Sequence, residues 1–265
     1  MPAFFDINFL HWQHVLKCKS WVEKYFDYYV LDFAESGNLK LSMDNSPPVN
    51  LTGPVAWLTF PGPHFQFGKL NHEPGSWEHR YVAFSGPFVD ELIKRGVLNI
   101  NLPPVRINNL DRFRVAFDEL LKYLDKPVFG PDRAAVMLQG LLLQLHEQTQ
   151  QEQYDRMDDR LKALVEKMKL APAENWDFRR EARKMELSYS HFRKLFTDGM
   201  NKPPALFLTG LKMELAAKLL KEHTLSLTET AEACGYEDIY YFNKSFRKHH
   251  SVSPGRYRKQ SQLFN

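Results

Sequence analysis

The side chains whose types and spacing suit chemistry lie in two stretches late in the chain, and the chemistry is recognition rather than bond breaking. In the first, Ser190, Arg193, Lys194 and Thr197 fall at helical spacing opposite Phe192, Leu195 and Phe196. In the second, Ile239, Tyr240, Asn243, Lys244 and Lys248 fall opposite Phe242 and Phe246, with Tyr241 and Ser245 also assigned to the inner side. Side chains three and four positions apart share one face of a helix. A face that mixes amide, hydroxyl, cation and aromatic groups matches base edges in a major groove, and its cations match phosphates.

Bond-making chemistry finds less support. A metal centre would need two or three histidines and a carboxylate converging at one point. His64, His72 and His79 occur with Glu73 and Glu78 nearby, but no His-x-His pair followed by Glu is present, and His72 and Glu73 read as turn residues. His249 and His250 read as cations at the end of a helix, where the dipole favours them. No Gly-rich phosphate loop and no Gly-x-Ser-x-Gly elbow appear. No catalytic residue, metal or cofactor is expected.

The recognition faces need elements to hold them. Ser226-Leu-Thr-Glu229 has the form of a capping box, which satisfies the first free amides of a helix. Gly235 is suited to a left-handed residue that ends it, and Asp238 to the cap of the next helix. Ser188 is the corresponding cap in the first stretch. Between the stretches, Pro203-Pro204 opens a helix over Ala205–Lys221 with Leu206, Phe207, Leu211, Leu215, Leu219 and Leu220 as its apolar positions. Such a helix spans about 25 Å at 1.5 Å per residue. It can set two reading helices toward adjacent major grooves, which recur about every 34 Å.

The rest of the chain has a different grain. From Tyr25 to Phe84, short runs rich in Val, Phe, Tyr and Trp are broken by Pro and Gly turns, which predicts antiparallel strands in a sandwich or small barrel. Helices follow over Asp111–Tyr123 and Asp132–His146. In the latter, Leu138, Leu141, Leu142 and Leu145 form a stripe that either packs on the strands or seams two subunits. Gln144 to Gln153 reads as a linker, either irregular or continuing a helix, and everything beyond it reads as helix. The expected domains are 1–150 and 156–265. The second segment carries 21 Lys and Arg against 14 Asp and Glu, whereas residues 1–155 carry 14 against 18, so a polyanion would meet the C-terminal part. With 43% hydrophobic and 25% charged residues the chain is globular rather than fibrous or disordered. Two cysteines do not make a secreted disulfide framework, and neither a signal peptide nor a membrane span is legible. A cytoplasmic location is expected.

The run from Glu229 through Ala-Cys-Gly235, Asp238, Phe242, Phe246 and Pro254 to Tyr257-Arg258 resembles the signature of the AraC/XylS family of bacterial transcription regulators. The resemblance covers about the last 100 residues. It implies a DNA-binding domain with two helix-turn-helix units joined by the long helix. Base reading then falls on Ser190, Arg193 and Lys194 in the first unit and on Ile239, Tyr240, Asn243 and Lys244 in the second. Phosphate contacts fall on Arg247, Lys248 and Arg258. Three positions depart from the family pattern: Lys194 stands for Arg, and Asn201 and Ser251 stand for Gly. A lysine lacks the bidentate guanine contact of an arginine.

The first half resembles the cupin-like sensing domain of arabinose-type regulators, through Phe60-Pro-Gly-Pro-His64-Phe-Gln-Phe67 and Ser76-Trp77-Glu-His79-Arg-Tyr81. That resemblance places Phe67, His79 and Tyr81 at a sugar, with Trp77 beside them, and Trp21 and Lys24 are added as candidates near the pocket. Aromatic faces and a polar side chain suit a sugar's C–H face and hydroxyls. The expected whole is an α+β two-domain regulator. It has an N-terminal cupin-like β barrel with trailing helices and an all-α double helix-turn-helix domain. Its expected partners are double-stranded promoter DNA, a small-molecule effector of the sugar class, a second copy as a homodimer, and RNA polymerase, with no membrane. Two alternatives are a ligand-independent regulator with a purely dimerising first domain, and a cupin metal enzyme fused to a DNA-binding tail. Whether the regulator activates or represses is left open.

Overall fold

Along Trp77–Ser85, apolar residues occupy both parities, the pattern of a strand covered on both faces. The computed structural model, which describes residues 6–44, 46–69, 75–95, 98–100, 102–126, 130–222 and 224–262, shows what covers each face. The chain divides into two compact units, Met1–Thr149 and Gln150–Asn265.

In the first unit the strands are β1 (Asn8–Cys18), β2 (Trp21–Tyr25), β3 (Tyr29–Ala34), β4 (Asn38–Met43), β5 (Val49–Thr52), β6 (Val55–Thr59), β7 (His64–Gly68), β8 (Trp77–Ser85) and β9 (Val105–Arg106). They form a five-stranded sheet ordered β1-β8-β3-β6-β9 and a four-stranded sheet ordered β2-β7-β4-β5. Every pairing is antiparallel. Strands begin well before Tyr25: the polar His11, Gln13, His14 and Lys17 of β1 hide its strand character from a hydrophobicity reading.

The helices of this unit are α1 (Pro87–Lys94), α2 (Leu110–Leu124) and α3 (Gly130–Asp155), and the division between the units falls inside α3. Gln144 to Gln153 therefore lies in a helix. Leu31, Phe33, Val82 and Phe84 of β3 and β8 pack with Phe113, Phe117 and Leu120 of α2 and with the α3 leucines in one cluster. Val30, Ala34, Trp77 and Ala83 belong to a second cluster with Trp57, Phe65 and Phe67. Alternation along β3 and β8 thus sends one parity to the helices and the other to the interior between the sheets.

This packing corrects one expectation. Leu138, Leu141, Leu142 and Leu145 are 1%, 1%, 7% and 3% exposed within the chain's own core, so they are not available to a second subunit. The helix-facing side of the large sheet is an apolar row that these leucines must cover, because apolar area left in water costs about 25 cal/mol per Å². The exposed apolar residues of α3 are instead Val136 and Leu143.

The second unit contains α4 (Asp159–Leu170), α5 (Phe178–Lys184), α6 (Tyr189–Met200), α7 (Pro204–Glu222), α8 (Leu227–Ala233), α9 (Ile239–His250) and α10 (Pro254–Gln262). One core joins Leu161, Leu164, Val165, Met168, Phe192 and Phe196 with Phe207 and Leu211 of the first half of α7. Another joins Met213, Ala216, Ala217 and Leu220 of its second half with Ala231, Cys234, Phe242 and Phe246. The 19-residue α7, about 28 Å long at 1.5 Å per residue, is shared by both. Leu206 of α7 is 58% exposed, against its reading as an apolar-face residue. The short polar α10 lies beyond the helices read from the sequence.

Candidate nucleic-acid interface and candidate ligand cavity

The second recognition face rests on local chemistry that the sequence spells out. Ser226 Oγ accepts from Glu229 N–H at 3.1 Å, and Glu229 Oε2 accepts from Ser226 N–H at 2.7 Å, closing the capping box that starts α8. Gly235, at φ 72°, turns the chain toward α9. A Cβ there would lie 2.3 Å from the Ala173 carbonyl oxygen, so only glycine fits. Asp238 then caps α9 by accepting from Tyr240 N–H at 2.6 Å.

The same plan recurs one core earlier. Asp177 caps α5, accepting from Arg179 and Arg180 N–H at 2.9 and 3.1 Å. The turn residue in the left-handed region is Glu186, at φ 58°, a position the residue-type reading did not single out because it is not glycine. Ser188 caps α6, its Oγ accepting from His191 N–H at 3.3 Å. Asn201 and Ser251, at φ 52° and 63°, hold the left-handed conformation at the ends of α6 and α9, where the family pattern has glycine.

On α6, Ser190, Arg193 and Lys194 are exposed, while Phe192 and Phe196 are fully buried. Ser190 Oγ lies 3.2 Å from Ser188 Oγ, at the start of the helix. On α9, Ile239, Tyr240, Lys244, Arg247 and Lys248 are exposed and Asn243 is half-buried. Tyr241 is 62% exposed, which moves it from the inner to the outer face. The reason is room: Phe242 and Phe246, four residues apart, already fill the seat of α9, their ring centres 5.9 Å apart and those of His250 and Tyr257 at 4.4 and 5.4 Å from Phe246. Among the described residues, none of Arg193, Lys194, Lys244, Arg247 or Lys248 pairs with a carboxylate.

Arg258 differs from the other cations. It sits half-buried on α10 and its Nη2 donates to Thr230 Oγ1 at 3.4 Å. This bond ties the guanidinium to α8. His250 Nε2 lies 3.2 Å from the Met213 carbonyl oxygen, so it ties α9 to α7.

In the first unit a cavity of about 260 Å³ lies between the sheets, lined by His11, Cys18, Lys24, Asp32, Phe67, Trp77, His79 and Tyr81 among others. It brings together five of the six candidate ligand residues. Trp21 is the exception: its Nε1 donates to Glu23 Oε2 at 3.3 Å on the other face of β2, whose alternate residues Val22 and Lys24 line the cavity. The Trp77 ring lies 4.1 Å from that of His79, tilted against it, and the Tyr81 ring lies 5.2 Å from that of His79. His79 Nε2 lies 2.9 Å from Asp32 Oδ1, both groups buried. Burial alone would lower the pKa of His79, but Asp32 and Cys18 outweigh it and raise it above the usual histidine value. At the mouth, burial and the Lys24 ammonium hold His11 below that value. Lys24 Nζ donates to Tyr28 Oη at 3.0 Å and sits 4.5 Å over the Phe26 ring.

Among the described residues no group of three or more His, Cys, Asp and Glu is placed to hold a metal; His72 and Glu73 lie outside them. No helix among them is long and apolar enough to cross a membrane.

A family model described as a helix-turn-helix domain matches residues 182–260, from the end of α5 through α10, and so contains both faces. Over this region the chain is similar to helix-turn-helix regulators of transcription, in keeping with the AraC/XylS resemblance of its sequence. It is 31% identical over 101 residues to the RCS-specific HTH-type transcriptional activator RclR of Escherichia coli, covering 38% of this chain and 36% of that protein. It is 22% identical over 245 residues to the Msm operon regulatory protein of Streptococcus mutans, covering 89% and 86%. Among solved structures, apo ToxT K231A of Vibrio cholerae aligns over 97% of this chain and 98% of its own at 14% identity and a TM-score of 0.39. The matched region spans about a third of the first curated relatives. These relatives are named as regulators of transcription, not as enzymes.

Proposed function

We propose that the protein is a sequence-specific DNA-binding regulator whose first unit, a cupin-like barrel, senses a small molecule of the sugar class. The observation that carries the reading is the repeated capped helix, tight turn and capped helix, each ending in an exposed face of unpaired cations and polar groups. In this reading α5–α6 and α8–α9 are two helix-turn-helix units, with α7 setting their spacing along the duplex. Ser190, Arg193 and Lys194 on α6, and Ile239, Tyr240, Asn243 and Lys244 on α9, meet base edges, and Tyr241 joins the second set. Arg247 and Lys248 meet phosphates, as do the amides at the helix N-termini. Lys194, lacking a planar fork, serves phosphate better than guanine.

The cavity supports the sensing half of the reading. Trp77, Phe67 and Tyr81 give aromatic faces, and His79, Asp32 and Lys24 give polar partners for hydroxyls. A homodimer would place two basic units on one promoter in the cytoplasm, in reach of RNA polymerase, and its contact lies outside the four buried leucines. Ligand acts only by the difference in its affinity for the two DNA-binding arrangements. A titration of labelled DNA from upstream of the protein's own gene, at fixed salt, with and without a pool of pentoses and hexoses, tests this. Tight binding that changes with one sugar is expected. Tight binding indifferent to every sugar removes sugar sensing and leaves a ligand-independent regulator with a dimerising first unit.

A further inference from the structure

Cys18, at the end of β1, is used neither by the DNA reading nor by the sugar reading. It is 6% exposed and lines the cavity together with Ser20, Asp32 and His79. Three strands supply the group: β1 brings Cys18, β3 brings Asp32 and β8 brings His79, with β8 paired to both of the others. His79 engages Asp32 Oδ1 through Nε2 at 2.9 Å, and Cys18, on the strand paired with that of His79, lines the same cavity beside Ser20. Asp32 Oδ2, buried in the same cavity wall, has no hydrogen-bond partner. A thiol beside a histidine that a carboxylate orients is the arrangement that makes a nucleophile.

We propose that Cys18 is a covalent modification site, at which a small conjugated carbonyl compound that enters the cavity is captured as a thioether. The Cys18 S–H proton passes to His79, the sulfur forms the C–S bond to the β-carbon as the C=C electrons move to the α-carbon, and His79 delivers that proton to the α-carbon. Nothing is oxidised and no group leaves. The aromatic walls Phe67, Trp77 and Tyr81 suit a planar electrophile, and Lys24 is a cationic donor for its carbonyl oxygen. Burial pushes the Cys18 thiol up, but the hydrogen bonds from His79 and Ser20 outweigh it and bring it below the ordinary value. Cys234 is a built-in comparator. It is fully buried, and burial pushes its thiol up to about 11, against the opposing pull of Lys212. The regulatory consequence of the adduct rests on the reading of the first unit as a sensor, whereas the adduct itself does not.

The full native chain is treated briefly with N-ethylmaleimide, or with 1,4-benzoquinone, from mildly acidic to mildly alkaline pH, and mapped by peptide mass spectrometry. Cys18 is expected to react at least about tenfold faster than Cys234, with a rate midpoint below the ordinary thiol value of about 8.5. His79→Gln is expected to slow the Cys18 reaction about tenfold and return that midpoint to the ordinary value, which a purely structural role would not do. If that variant fails to fold, the pH profile of the native chain decides. Reaction at Cys18 no faster than in the urea-unfolded chain overturns the proposal. DNA titration of the adduct separates the two readings: an adduct that forms at Cys18 yet leaves DNA affinity unchanged keeps the modification site and counts against sensing.

Discussion

Arg80→Met is expected to cost the first unit about 3–5 kcal/mol, because it removes the cation shared by three carboxylates at a largely buried site and leaves those carboxylates behind. Arg80 lies on the helix side of β8, 3% exposed. Its Nη1 donates to Glu35 Oε2 at 2.5 Å and to Glu78 Oε1 at 2.9 Å, and its Nε donates to Asp118 Oδ1 at 2.7 Å. Its guanidinium also lies 5.8 Å from the centre of the Phe33 ring. Methionine fills the volume but neutralises nothing, so Glu35 and Glu78 keep only Arg114 and His14 as partners. Urea unfolding followed through the fluorescence of buried Trp57 and Trp77 measures the loss. A change under about 1 kcal/mol would mean that the three carboxylates find water or other cations at little cost.

Phe246→Ala is expected to destabilise the second unit by about 3–5 kcal/mol, the usual range for truncating a buried phenylalanine. Phe246 is 0% exposed and sits among Phe242, His250 and Tyr257, so its ring seats α9 on α7 and α10. DNA affinity should fall with stability, since α9 carries one of the two reading faces. Lys244→Ala, on the exposed side of the same helix, should change stability by no more than about 0.5 kcal/mol. Thermal unfolding of the two variants side by side tests the assignment of inner and outer faces. Comparable losses in both would place Lys244 in the packing.

The second unit was largely legible because its helices are specified locally. Ser226, Glu229, Gly235 and Asp238 are capping and turn residues whose types state their roles, and each does so in the structure. Tyr241 was misread because 3–4 spacing admits two neighbouring faces, and only the volume of Phe242 and Phe246 decides between them. Glu186 was missed because a left-handed non-glycine residue has no compositional mark. In the first unit the strand region was legible but its limits were not: β1 pairs with β8 about 60 or more residues away, a fact no local window contains. The four leucines of α3 show the same limit. Periodicity gives an apolar stripe, but whether another subunit or the chain's own sheet covers it is a tertiary matter. Cys18 and Asp32 escaped attention for that reason too, since their meeting with His79 depends on the register of three strands.

The central claim is that the exposed face of α6 reads bases and that of α9 contributes phosphate contacts on double-stranded DNA. The measurement that tests it most directly is titration of wild type, Arg193→Ala and Lys248→Ala on a duplex selected from a random pool and on its scrambled counterpart, across a salt series. Wild type should prefer the selected duplex by about 10³-fold or more. Arg193→Ala should lose about 1–3 kcal/mol on the selected duplex alone, and Lys248→Ala should weaken both duplexes alike and reduce the salt slope by about one. Equal loss on both duplexes for Arg193→Ala, or no sequence enriched by the wild-type chain, would contradict the account.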